Sequence, residues 1–157
     1  MRWTTEDVDS YLREKEYVDT VVIPLIPITW HNEIKLNVEA GEFAALLTDE
    51  LEEQLKGRIF HFPPFTYLKS EAVENRVARL KEWKQELLSG DMKHVFFITS
   101  DTDWKSLEGE LNDSLIWIPS VPMQHMSEEN KEEIINGQIK QLLQIVTVKW
   151  QNGYNYE

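Results

Sequence analysis

The sequence predicts an α/β domain in which helices cover both faces of a mainly parallel sheet. Four short apolar runs alternate with stretches of helical periodicity along the whole chain. Strands joined by helices pair in parallel through right-handed crossovers, which leaves helices on both faces of the sheet. The third run, HVFFITS, is continuously apolar, as expected of a strand covered on both faces. We therefore predict a three-layer α/β/α sandwich, formed by residues 1–157 as one domain, around four strands in the order 2-1-3-4.

The first half of the chain predicts two helices and two strands. A helix is expected over Thr5 to Glu14, and the first strand over Thr20 to Ile28. A second helix falls within residues 37–57, where a glycine supplies the stop signal. The second strand is RIFHF, residues 58–62. It is expected to end at the Pro63–Pro64 pair because proline cannot donate to a strand ladder.

The second half predicts two more strands and three helices. Ser70 is expected to begin a long helix with an apolar stripe that ends near residue 90. The third strand lies within residues 94–100, a short helix follows, and the fourth strand is SLIWIPS. The last helix begins at Ser127, and its stripe continues into IVTVKW, residues 145–150. That β-branched segment is alternatively a fifth, edge strand. We favour a helix because no turn signal interrupts the stripe.

Composition and charge exclude several classes of function. The chain carries 28 acidic and 16 basic residues, and its net charge of −12 disfavours nonspecific nucleic-acid binding and polybasic attachment to lipid. It contains no cysteine, which excludes disulfides, thiolate zinc sites and thiol catalysis. No apolar run approaches the roughly 18 residues of a membrane-spanning helix. We therefore expect a cytoplasmic protein with neither a nucleic-acid partner nor a membrane insertion.

A binding site is expected where the carboxyl ends of the strands meet. Open α/β sheets bind ligands there, at the point where strand order reverses, which here lies between the first and third strands. Four aromatic residues are expected in loops at this rim, where amphipathic rings can line a pocket or anchor a partner. The residues expected to bind a ligand or a partner are Thr29, Trp30, His31, Phe65, Tyr67, Asp101, Trp104 and His125.

Familiar catalytic motifs are missing from these strand ends. No glycine-rich loop follows the first strand, so neither a dinucleotide site nor a P-loop is expected. No serine lies in a GxSxG elbow, and the acidic pair of a phospho-receiver is replaced by Pro27, Ile28 and Thr29. We expect no catalytic residue, no metal and no cofactor.

Two stretches of the chain resemble a known family. MRWTTEDVDSYLREKEYVDTVVIPLIPITW and IFHFPPFTYL are similar to the uncharacterised YpiF-type family of Bacillus and related Firmicutes. The resemblance extends over essentially the whole chain. It implies a cytoplasmic bacterial protein, and it brings no activity, cofactor or site residue.

A second similarity is to the creatininase family of metal-dependent amidohydrolases. Pro24 and His31 keep the spacing of that family's first strand and loop. However, Thr29 replaces a metal-binding glutamate, and the later glycine–histidine–glycine loop is missing from VFFITSDTD. The similarity implies a scaffold that has lost its metal centre, with His31 as the one ligand carried over.

Two functions remain open on the sequence. We favour a non-catalytic domain that binds a protein partner or a small ligand at the carboxyl ends of the strands. The alternative is a metal-dependent hydrolase of a degenerate creatininase-like type. It would use His31, Asp101 and His125, whose nitrogen and oxygen atoms could hold a metal ion with one position open.

Overall fold

The computed structural model describes residues 1–154, and five parallel strands lie between two layers of helices in this part of the chain. The strands are β1 (Thr20–Ile28), β2 (Ile59–His61), β3 (Phe65–Leu68), β4 (His94–Thr99) and β5 (Leu115–Trp117). The α-helices are α1 (Thr5–Arg13), α2 (Ile34–Gln54), α3 (Val73–Leu88) and α4 (Glu128–Tyr154). Two 3-10 helices cover Lys15–Tyr17 and Thr102–Leu111.

The order of the sheet is β2-β1-β4-β5, and β3 pairs with β1 as well. The predicted three-layer sandwich is confirmed, as is the order of the four strands that the sequence predicted. The prediction of four strands was wrong, because residues 65–68 form a further strand. Residues 145–150 belong to α4, so the helical interpretation of IVTVKW is confirmed.

The unpredicted strand β3 exists because the double proline makes a bulge and does not end the pairing. Val22 of β1 pairs with His61, whereas Leu25 pairs with Phe65. Four steps along the outer segment therefore match three steps along β1, and the extra residue lies in the Phe62–Pro64 segment. A bulge of this kind re-aims the side chains that follow and lets the ladder resume. The expectation that a strand ends at proline located the break in the ladder, but it did not predict that pairing resumes after the prolines.

Two prolines fit inside the central strand β1 because, at both positions, no carbonyl of an adjacent strand requires a backbone N–H donor from β1. The Phe62 N–H donates to the Val22 carbonyl at 3.0 Å. Since backbone groups point to alternate edges along a strand, even-numbered residues of β1 face β2 and β3, and odd-numbered residues face β4. Pro24 thus faces the gap between β2 and β3. Pro27 faces the β4 edge beyond the last β1–β4 pair, so neither removes a ladder hydrogen bond.

Side chains of β1 alternate between two hydrophobic cores. Val21, Ile23 and Leu25 pack into the core beneath α1, α3 and the Thr102–Leu111 helix. Val22 packs into the core beneath α2 and α4. No helix among residues 1–154 combines the length and hydropathy that a membrane-spanning segment requires.

The helix starts show where local signals were sufficient. The Ser127 hydroxyl accepts from the Asn130 N–H at 3.2 Å, as expected of the residue that begins α4. The prediction that Ser70 begins the long helix was wrong. α3 begins at Val73 after Ala72, because the chain first turns through a Glu71 N–H bond to the Leu68 carbonyl at 3.0 Å.

Candidate functional site

A network of polar side chains links the carboxyl ends of β3 and β4. The Tyr67 hydroxyl donates to Asp101 Oδ2 at 2.5 Å and accepts from Trp104 Nε1 at 2.8 Å. The Lys69 ammonium bridges two carboxylates, with Nζ 2.9 Å from Asp101 Oδ1 and 2.6 Å from Asp103 Oδ2. We call these residues, together with Arg76, the strand-end network.

Arg76 ties this network to the start of α3. Its side chain is 3% exposed, and Nη1 lies 3.0 Å from Asp103 Oδ2. The same guanidinium donates to the carbonyls of Lys69 (2.6 Å) and Glu71 (3.0 Å). It also lies over the Tyr67 ring, with Cζ 5.0 Å from the centroid. A planar fork of donors can serve carboxylate and carbonyl oxygens together, which an ammonium cannot do.

Protonation in the network follows from burial and charge. The pKa of the Tyr67 phenol is raised far above its ordinary value. Burial is the larger cause, and the neighbouring Asp101 carboxylate is the second. Partial burial alone would raise the pKa of Asp103, but hydrogen bonds from Lys69 and Arg76 outweigh it and lower the pKa. Two carboxylates thus meet two cations. Each carboxylate of the network therefore has at least one cationic partner within hydrogen-bond distance.

The structure corrects where three predicted aromatic residues lie. Phe65 and Tyr67 are buried on β3, and Trp104 is buried in the 3-10 helix, so their placement in rim loops was wrong. The bulge returns residues 65–68 to the sheet, and alternation then turns Phe65 and Tyr67 into the core beneath α3. Asp101 is buried as well, inside the strand-end network.

The histidines do not join Asp101 in a metal site. His31 is exposed in the loop after β1, where its N–H donates to Thr29 Oγ1 at 3.3 Å, and His125 is exposed in the turn before α4. Over residues 1–154, no group of three or more histidine or acidic side chains could hold a metal ion. The expectation that His31, Asp101 and His125 form such a group is therefore not supported.

An exposed apolar surface lies beside the network, at the carboxyl ends of β1 and β3. Trp30 is 85% exposed, and Ile28 and Leu68 are exposed at 41% and 56%. Ile28 and Leu68 are register partners, so they stand side by side, and Trp30 follows in the next loop. We call these three residues the Trp30 surface. Of the eight predicted site residues, Trp30, His31 and His125 are exposed, and a binding role for all eight stays a prediction.

Lys69 and Arg76 belong to this region and were not predicted from the sequence. Arg76 had a readable signal, because it lies three residues after Val73 and four before Leu80 on the apolar stripe of α3. A charged residue on a buried stripe requires a partner. Lys69 had no such signal, since it follows a segment that was predicted to be a loop.

Comparisons with known proteins agree on one family. A family model described as a protein of unknown function, DUF2487, matches residues 9–150. The chain is similar to the uncharacterized protein YpiF of Bacillus subtilis (strain 168), with 39% identity over 150 residues that cover 96% of this chain and 98% of that protein. No solved structure matches. The chain therefore belongs to the DUF2487 family of proteins of unknown function.

Proposed function

We propose that the domain is a non-catalytic module that binds a protein partner through the Trp30 surface. The observation that carries this proposal is the 85% exposure of Trp30 in the loop that follows β1, together with the exposure of Ile28 at the end of β1 and of its register partner Leu68. Tryptophan is enriched among the residues that dominate binding energy at protein interfaces. Clustered exposed apolar side chains mark interaction sites more often than single ones do.

The fold explains why this surface is left uncovered. Thr66 and Leu68 of β3 point to the face of the sheet that α2 and α4 cover elsewhere, and both are exposed. On the other face, Phe65 and Tyr67 are buried. The carboxyl end of β3 is thus held on one face of the sheet by the strand-end network and is exposed on the other face. A rigid support of this kind favours binding, because little side-chain or backbone freedom is lost on association.

The hydrolase alternative receives no support from the geometry. Asp101, which would be one of its metal ligands, accepts from both Tyr67 and Lys69. The two histidines lie in separate exposed loops. A partner-binding role needs none of these residues to change its bonding.

Affinity capture with matched tryptophan variants tests the proposal. Wild-type protein, Trp30→Ala and Trp3→Ala are each immobilised and exposed to the same host-cell lysate, and bound proteins are quantified by mass spectrometry. We expect at least one protein to be retained by the wild type and by Trp3→Ala, and to be depleted at least tenfold on Trp30→Ala. The melting temperature of Trp30→Ala should stay within about 2 °C of wild type, because the removed side chain is exposed.

Two results would contradict the proposal. Retention of the same proteins by Trp30→Ala and wild type would show that Trp30 does not contact a partner. A large stability loss in Trp30→Ala would show that the ring packs in the fold. Sedimentation over a range of concentrations covers the case in which the partner is a second copy of the chain.

A further inference from the structure

An open groove of about 660 Å³ lies between α1 and α3, on the face of the sheet opposite α2 and α4. Phe60 of β2 and Phe62 of the bulge also line it. No residue of α1 is buried, so Val8, Tyr11 and Leu12 cover the sheet only in part and leave their apolar face open to the groove. The volume lies in the range of about 300–1,000 Å³ that is typical of small-molecule sites.

Among the residues that the structure describes, five aromatic side chains line this groove: Trp3, Tyr11, Phe60, Phe62 and Trp83. Several meet edge to face, with centroids 4.9 Å apart for Trp3 and Phe62 and 5.7 Å apart for Tyr11 and Phe60. Trp3 is 60% exposed, so part of its ring is open to a ligand. Aromatic faces attract cations, because the ring quadrupole is negative above and below its plane.

The charged side chains that line the groove, among the described residues, are all acidic. Glu82 and Glu86 stand on α3, and Asp91 follows that helix. Asp91 pairs with Lys15 at 3.2 Å. Within residues 1–154, no cation lies within ion-pair distance of Glu82 or Glu86, and no lysine or arginine is among the residues that line the groove. Two unpaired carboxylates next to exposed aromatic surface form an environment that is complementary to a cation with an apolar body.

We propose that the α1–α3 groove binds a small organic cation, an ammonium or alkylammonium group carried on an apolar body. The rings take up the apolar body and contact the cationic head, and Glu82 and Glu86 supply the countercharge. This site is separate from the Trp30 surface, which lies at the carboxyl ends of β1 and β3. The inference therefore does not depend on the proposed function.

Three probes that share a phenyl group test the charge preference on the full chain. Phenethyltrimethylammonium is the cation, 2-phenylethanol the neutral analogue and 3-phenylpropanoate the anion. Titrations are followed by two-dimensional NMR, with indole N–H signals assigned through single Trp→Phe variants. We expect the cation to shift the Trp3 and Trp83 signals and to bind at least tenfold more tightly than the alcohol. The anion should not bind.

Matched variants distinguish cation binding in the groove from a general effect of the protein's net charge. Glu82→Gln with Glu86→Gln should weaken cation binding at least tenfold and leave alcohol binding unchanged. The control is Glu132→Gln with Glu133→Gln on α4, which removes the same charge from the opposite layer and should leave cation binding unchanged. Trp3→Leu should lower the preference for the cation over the alcohol, because it keeps apolar volume and removes a ring face.

Three outcomes would overturn the proposal. The cation and the alcohol could bind equally, which would make the groove merely apolar. The α4 control could lose as much affinity as the groove variant, which would leave only a net-charge effect. The shifts could centre on Trp30 instead of Trp3 and Trp83, which would place the cation elsewhere.

Discussion

Tyr67 shows how one residue joins a hydrophobic core to a polar network. Its ring is buried between the Trp104 ring and the Arg76 guanidinium, and its hydroxyl is the donor to Asp101. The neutral phenol satisfies this arrangement, whereas a phenolate would face the Asp101 carboxylate in a site closed to water. Burial and the neighbouring charge therefore both raise the pKa of Tyr67.

The raised pKa of Tyr67 predicts a specific loss of stability at alkaline pH. The contribution is fully present below the ordinary tyrosine pKa of about 10 and is lost as pH rises above it, because the unfolded chain releases this proton first. Between pH 10 and 11.5, the free energy of unfolding of wild type should therefore fall more steeply than that of Tyr67→Phe. The excess slope approaches about 1.4 kcal/mol per pH unit.

Urea unfolding at intervals of half a pH unit measures this difference. Between pH 7 and 9 the two proteins should show a constant offset, which serves as the internal control. Curves that stay parallel up to pH 11.5 would show that the Tyr67 phenol ionises freely in the folded protein.

The helices and strands that were predicted correctly are those with a clear hydrophobic periodicity in the sequence. Continuous apolar runs identified β1 and β4, and the i, i+4 stripe of α4 was sufficient to extend the helix through IVTVKW. β3 was not predictable in this way, because a bulge is a property of two paired strands and not of one segment. The missing strand also affected the predicted site, because Phe65 and Tyr67 were expected in a loop and are buried on β3. Trp30, by contrast, is exposed in the loop after β1.

Among the α-helices described, α1 is the one for which the structure predicts the lowest local stability. Its apolar residues are only partly covered, and none is buried. Few buried contacts mean that an element can open without unfolding the rest of the molecule. We expect the backbone amides of Val8 to Leu12 to exchange hydrogen through openings at least about 2 kcal/mol below the free energy of global unfolding.

Native-state hydrogen exchange measured by NMR tests this expectation, with the buried amides of β1 as the reference. Equal protection of α1 and β1 would contradict it. Occupation of the α1–α3 groove by phenethyltrimethylammonium should slow exchange in α1 and leave β1 unchanged, because a ligand that contacts the helix opposes its opening.

For the whole molecule, the central strand makes the two cores depend on each other. β1 pairs with β2, β3 and β4, and its alternating side chains enter the core beneath α3 and the core beneath α2 and α4. Neither helical layer can keep its core if β1 is lost. We therefore infer that the chain unfolds as one domain in a single cooperative transition.

One truncation in each core tests this inference. Leu80→Ala on α3 and Leu47→Ala on α2 each remove a fully buried side chain, and each should cost about 2–4 kcal/mol. If the domain is one cooperative unit, either variant lowers the midpoint of the same transition, and tryptophan fluorescence and far-ultraviolet circular dichroism give coincident curves. Two separate transitions, with each variant shifting only one of them, would show that the layers unfold independently.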